Sequence, residues 1–161
     1  MELFEAIRKR RSIRAFTDEA IPREHLETIV DAGRLAASGH NHQPWQFIVI
    51  TDKAMMAKFT GAADWIEQSS AVIAVVMDSS STFWVEDGSA AVTNIMLAAT
   101  ALGYGSCWIG GNTQKHEDKF KQLLGIPAEK RLLTFLPLGV PAESPTKEKK
   151  SLDEVIRWER Y

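Results

Sequence analysis

The stretch from Trp84 to Leu102 sets the first limit on any fold this chain can take. It predicts the longest helix, beginning at Trp84 or Val85. Ala90, Ala91, Val92, Ile95, Met96, Leu97, Ala98 and Ala99 leave it almost no polar face. Such a helix belongs inside a protein or in a subunit interface. Gly103 directly after it supplies the cap, and Glu86 and Asp87 near its start are assigned to its dipole. Other apolar stretches must supply the covering. Trp45 to Ile50 alternates and then runs apolar, and Ala71 to Met77 is apolar throughout. Both predict strands, the second buried. Leu132 to Gly139 predicts a third, assigned to a sheet edge because Pro137 has no N–H for a ladder.

Shorter helices are predicted at Glu2 to Lys9, from Pro22 through Gly33, at Lys53 to Phe59 and at His116 to Leu124. A turn is predicted around Trp65 and Ile66. Gly105 to Asn112 predicts a short strand opening into a glycine-rich bend. Leu152 to Tyr161 is too apolar for a free tail and is expected to pack on another surface. There is no repeat and no linker long enough to divide the chain. The 161 residues suffice for one core, so a single domain spanning 1–161 is expected.

Charge narrows the partners. The formal net charge is -2, which argues against a general nucleic-acid binder. The longest apolar run, Ala71 to Met77, is too short to cross a bilayer. Met1-Glu2-Leu3-Phe4-Glu5 carries acids where a signal peptide would be apolar. The single cysteine, Cys107, excludes an internal disulfide and fits a reducing compartment. A cytoplasmic protein is expected, with no membrane and no nucleic-acid partner.

Against that background one local charge cluster stands out. Five of the seven residues of Arg8-Lys9-Arg10-Arg11-Ser12-Ile13-Arg14 are cationic. Read alone, this is a solvated basic turn, a nucleic-acid patch or a phosphate grip: arginine forks bind phosphate bidentately and serine adds a donor. Ser38-Gly39-His40-Asn41-His42-Gln43-Pro44 is a second polar segment, punctuated as a loop and dense in donors and acceptors. Gly110-Gly111 is a third, and Lys147, Lys149 and Lys150 form a basic tail. No P-loop or Rossmann fingerprint is present; Gly103-Tyr104-Gly105 lacks the third glycine. His40 and His42, with His25 and His116, make a poor metal ligand set without a cysteine or acid nearby, so no metal is expected. Ser12 lacks the histidine and acid of a serine nucleophile. Cys107 is expected as a small buried core residue. Phe83, Trp84 and Trp108 could stack on a ligand, but core packing is their default.

Taken in order, these segments resemble a known family. Arg10-Arg11-Ser12-Ile13-Arg14 after a first helix is similar to the opening motif of the FMN-dependent nitroreductases. Ser38 to Trp45 resembles their Pro-Ser-x-x-Asn-x-Gln-Pro-Trp motif, with Ala37 where the family often has proline and with histidines at 40 and 42. Gly103 to Gly110 resembles the third motif, at the end of the long helix. Pro137 to Glu143 and Leu152-Asp153-Glu154-Val155 resemble the closing segment. The likeness runs from residue 2 to Tyr161. Each motif is modestly specific; four in order are strongly so.

The resemblance implies an α+β fold with a central, mostly antiparallel sheet flanked by helices. It also implies an intertwined homodimer with FMN sites in its interface and the C-terminal segment packed on the partner subunit. Arg10, Arg11, Ser12 and Arg14 would hold the FMN phosphate and ribityl end, joined by Lys147 and Lys149. Ser38, Gly39 and Asn41 would come from the partner subunit to line the flavin, with Gln43 and Pro44 setting that loop against it. The backbone of Ile109, Gly110 and Gly111 would reach the reactive edge. No side chain is assigned as catalytic, because hydride would arrive at and leave from flavin N5, where glycine permits close approach. The implied activity passes electrons from NAD(P)H to an electron-poor acceptor of the nitroarene or quinone class. Two other readings stand beside it: a flavin-binding or electron-relay protein without NAD(P)H turnover, and a phosphate- or nucleic-acid-binding module. The chain is short for the family, so the insertion that often covers the substrate is reduced or absent.

Overall fold

The structure, a computed structural model, describes the backbone of residues 1–161 and every side chain except that of Asn112. In chain order the elements are α1 (Leu3–Lys9), α2 (Arg23–Arg34), β1 (Trp45–Ile50), α3 (Lys53–Met56), β2 (Ala71–Asp78), α4 (Trp84–Ala101), β3 (Gly105–Ser106), α5 (Gly111–Lys115), α6 (Glu117–Leu124), β4 (Lys130–Gly139) and α7 (Leu152–Val155). Single 3-10 turns occur at Gly39–Asn41, Ala57–Phe59 and Ile66–Gln68. No helix among the described residues is long and apolar enough to cross a membrane.

The strands form one antiparallel sheet in the order β1-β2-β4-β3, flanked by helices. This is the expected fold class. Side chains alternate along each strand and so feed two cores. On one face Ile73, Val75, Met77, Leu136 and Leu138 pack against Leu26 and Ile29 of α2 and Val92, Ile95 and Ala99 of α4. On the other, Val72, Ala74, Val76, Leu132 and Phe135 pack against Met56, Phe59, Ile66 and Phe120. α2 and α4 cross closely because Gly33 has no side chain; a Cβ there would lie 2.6 Å from Ile95.

β4 is not an edge strand. It lies between β2 and β3 and begins two residues earlier than predicted. Pro137 is tolerated there because its nitrogen faces the sparsely paired side. That side holds only Gly105–Ser106 and an isolated bridge from Ile109 to Phe135. The Cys107 N–H donates to the Pro137 carbonyl at 3.3 Å; the return bond is the one a proline cannot make.

The helix predicted at His116 to Leu124 is α6, and a short unpredicted helix, α5, precedes it because Gly110 turns the chain straight into it. α6 is tied to β4 by Glu117. Its carboxylate accepts from Arg131 Nε at 2.9 Å and Nη2 at 3.0 Å, and from the Leu132 N–H at 2.9 Å. Burial pushes this carboxyl up, but the Arg131 hydrogen bonds, the Leu132 N–H and the Arg131 charge outweigh it, holding the group below its ordinary 4.5. A folded value below the unfolded one means stability that is present above the unfolded value and lost as pH falls through the folded one. Glu117→Gln is expected to cost about 1–2 kcal/mol at neutral pH after allowance for solvent screening. Urea midpoints measured against pH should show the gap from wild type closing below 4.5.

Much apolar surface is left uncovered in the single chain. α1 buries only Ala6, and Leu3, Phe4 and Ile7 are exposed. Leu152, Val155, Trp158 and Tyr161 of the C-terminal segment are exposed as well. A groove of about 960 Å³ lies between α2 and β1, floored by Leu26, Val30, Trp45 and Phe47.

Candidate functional site

The basic loop is built on the end of α1. Beyond Lys9 the chain extends: Ser12 bridges Ser106 in parallel, and the Ile13 N–H donates to the Ser106 carbonyl at 3.0 Å. An extended chain sends alternate side chains to opposite sides. Ile13 turns inward onto Gly105, where a Cβ would come within 2.7 Å of it. The same alternation puts Arg10, Ser12 and Arg14 on the other side, and all three act on the Cys107 thiol. Burial pushes the Cys107 thiol up, while Arg14, the Ser12 hydroxyl and Arg10 pull it down. It is the buried core residue expected. Among the described residues neither Arg10 nor Arg14 forms an ion pair.

Arg11 behaves differently from its neighbours. Its Nη1 donates to the carbonyls of Arg8 and Arg10, each at 2.8 Å, so it caps the carbonyl end of α1. Lys9 pairs with Glu5 at 2.6 Å. Lys9 and Arg11 line a cavity of about 280 Å³ beside Tyr104.

The glycine-rich bend continues from β3. The Ile109 N–H donates to the Phe135 carbonyl, and its own carbonyl accepts from Thr113 Oγ1 at 2.7 Å and Thr134 Oγ1 at 2.6 Å. The segment is thus held rigidly up to Gly110. Beyond it lies open space. A Cβ at Gly111 would meet nothing within 4 Å, and one at Gly110 only the Trp108 indole at 3.7 Å. Trp108 is 37% exposed and Phe83 44% exposed, so neither is the core residue expected. They sit at the bend and at the head of α4, where Phe83 lies against Gly39 and is otherwise largely open. Trp84 is half-buried, with the Arg131 guanidinium over its ring.

The loop from Ser38 to Pro44 is strained. His40, Asn41 and Gln43 adopt φ of +49°, +59° and +50°, a region unfavourable for residues with side chains. It holds because it is over-determined. Ser38 Oγ accepts from the Gln43 N–H at 3.1 Å, and Ser38 O from the Asn41 N–H at 3.0 Å. The Gly39 N–H donates to Asp87 Oδ1 at 2.9 Å, and the Pro44 carbonyl accepts from Asp78 at 2.7 Å. Asp87 therefore does more than serve the helix dipole. It is 5% exposed, points inward and anchors this loop. Strain of this kind clusters at ligand clamps and active sites.

The two halves of the expected site do not meet within one chain. The basic loop lies at the β3 edge, near the Gly139 end of β4, and the bend lies further along that edge, where Ile109 pairs with Phe135. The Ser38 loop enters β1, the opposite edge, at the end where Trp45 pairs with Met77 and Met77 with Arg131. Three strand spacings across and seven residues along separate the basic loop from the Ser38 loop by roughly 25–30 Å. Lys147 and Lys149 are exposed in the tail that leaves the basic loop's neighbour, Glu143. Sequence reasoning missed Glu143, Asp87 and the two threonines on Ile109. The one visible signal was the acid pair Glu86-Asp87 in the first turn of a helix whose interior is apolar.

Comparison with known proteins agrees with this fold. A family model described as "Nitroreductase family" matches residues 7–80 and 59–140. An Archaeoglobus fulgidus protein named "Putative NADH dehydrogenase/NAD(P)H nitroreductase" is 38% identical over 151 residues, covering 88% of this chain and 87% of its own. Among solved structures, an FMN-dependent nitroreductase from Clostridium difficile has a TM-score of 0.88 at 25% identity, covering 98% of this chain and 99% of its own. A Desulfovibrio desulfuricans structure in complex with FMN has a TM-score of 0.87 at 30% identity, covering 100% of this chain and 98% of its own.

Proposed function

The chain belongs to the nitroreductase family, and from that premise we propose that it passes electrons from NAD(P)H to a nitroarene- or quinone-class acceptor in the cytoplasm. Its cofactor is FMN. When bound, FMN supplies a ring that takes up and releases hydride. The observation that carries the reading is the donor set. Arg10 and Arg14 lie with Ser12 on one side of an extended loop and are free of ion pairs among the described residues. Two guanidinium forks and a hydroxyl suit a phosphate dianion. Lys147 and Lys149 join them from the tail.

The open bend at Gly110 and Gly111 fits the flat ring. Rigid anchoring of Ile109 lets the backbone there meet the ring edge without rearrangement. The remaining wall comes from a second copy, which brings Ser38, Gly39, Asn41, Gln43 and Pro44. Their distance from the basic loop in one chain supports this. So does the uncovered apolar surface: the C-terminal segment of each copy packs on the other, with the groove beside edge strand β1 as its seat. The unit is then one domain spanning 1–161, made functional by pairing.

The visible spectrum tests the proposal. Purified protein is expected to be yellow, to bleach with NAD(P)H and to regain colour with a quinone. Colourless protein that ignores added FMN would contradict it. Tight FMN that neither nicotinamide reduces would leave flavin binding but remove the turnover.

A further inference from the structure

We propose that Glu143 is a positioning residue for the phosphate end of the flavin, acting through the backbone of the basic loop. The inference rests on the flavin reading above. Glu143 stands 129 residues from Arg14 in the chain. Its Oε1 nevertheless accepts both the Arg14 N–H and, at 3.3 Å, the Ala15 N–H. One carboxylate oxygen thus gathers two successive amides of the segment that carries Arg10, Ser12 and Arg14.

The contact completes a clip. The Thr17 N–H donates to Val140 and the Ala142 N–H to Ala15, each at 2.9 Å, around the Phe16–Pro141 bridge. Phe16 lies against Gly139, where a Cβ would be 2.8 Å from its ring. The backbone bonds fix residues 15 to 17. Among the described residues, Glu143 alone extends this hold to the Arg14 amide, at the last cation of the grip. An acid beside a phosphate site is electrostatically unfavourable, so its placement calls for a geometric reason. Holding the loop before the ligand arrives removes an ordering cost from binding. The tail lysines follow directly on the same segment, so the clip sets their starting point as well.

Charge and geometry predict opposite signs, which makes the proposal testable. Apoprotein of wild type, Glu143→Gln and Glu143→Ala would be titrated with FMN and with riboflavin, which lacks the phosphate. Glutamine keeps an oxygen for both amides and drops the charge, so it should bind FMN at least as tightly as wild type. Alanine drops both and should bind FMN about threefold to tenfold more weakly. Riboflavin affinity should stay within about twofold for both variants, since it makes no phosphate contact. If alanine tightens FMN binding, Glu143 acts only as a charge and the proposal is overturned. It is overturned equally if FMN and riboflavin weaken together, the sign of a general structural role. Wild-type protein that binds neither flavin would overturn the flavin reading itself, and this proposal with it.

Discussion

Arg10→Ala combined with Arg14→Ala is expected to weaken FMN binding by about a hundredfold to ten-thousandfold, since each charge-assisted contact contributes roughly 1.5–3 kcal/mol. Both side chains share one side of the loop with Ser12 and are free of ion pairs among the described residues. Removing them should therefore leave the apoprotein's unfolding almost unchanged. Arg11→Ala makes the contrast. Its guanidinium already serves the Arg8 and Arg10 carbonyls. Losing it should loosen the end of α1 by about 1 kcal/mol and change FMN affinity far less. Flavin fluorescence titration gives the affinities, and thermal unfolding gives the stabilities. Equal losses at Arg11 and at Arg14 would contradict the two-sided loop.

Deleting residues 152–161 should have the other large effect. Leu152, Val155, Trp158 and Tyr161 are exposed in the single chain. Burying four such side chains contributes of order 6–12 kcal/mol gross per tail. Ordering the segment and joining two bodies takes a large share of that. What remains still decides whether two copies stay together at micromolar concentration. Sedimentation velocity should show full-length dimer and truncated monomer, and the truncated form should lose bound flavin. A full-length protein that sediments as a monomer while holding FMN would sink the paired-site reading.

Periodic segments were legible from sequence, because burial dictates their pattern. β1 begins and ends where Trp45 to Ile50 predicts, and α4 spans its apolar run within a residue. Position within the sheet was less legible. A proline marks a missing donor but does not say which side of the strand lacks it, and Pro137 faces the side where little pairing was needed. α5 was invisible because Gly-Gly-Asn-Thr has poor helix propensity; the turn at Gly110 creates it. At the site, the basic motif announced itself by composition alone. The division of labour among its arginines did not, since neighbouring cations look alike until an extended backbone sends them opposite ways. Asp87 and Glu143 were hidden for another reason. Each acts on a backbone amide far away in the chain, and such pairings leave no local pattern.

The diagonal separation of the Ser38 loop from the basic loop has a consequence for inheritance. Where each working unit borrows a wall from its companion, a fault in that wall is felt in the other molecule's cavity. A cell making equal amounts of sound and damaged copies would then assemble about half of its pairs as mixed ones, each with one spoiled cavity and one intact. The harm of a single allele would be shared among healthy chains rather than confined to the faulty ones.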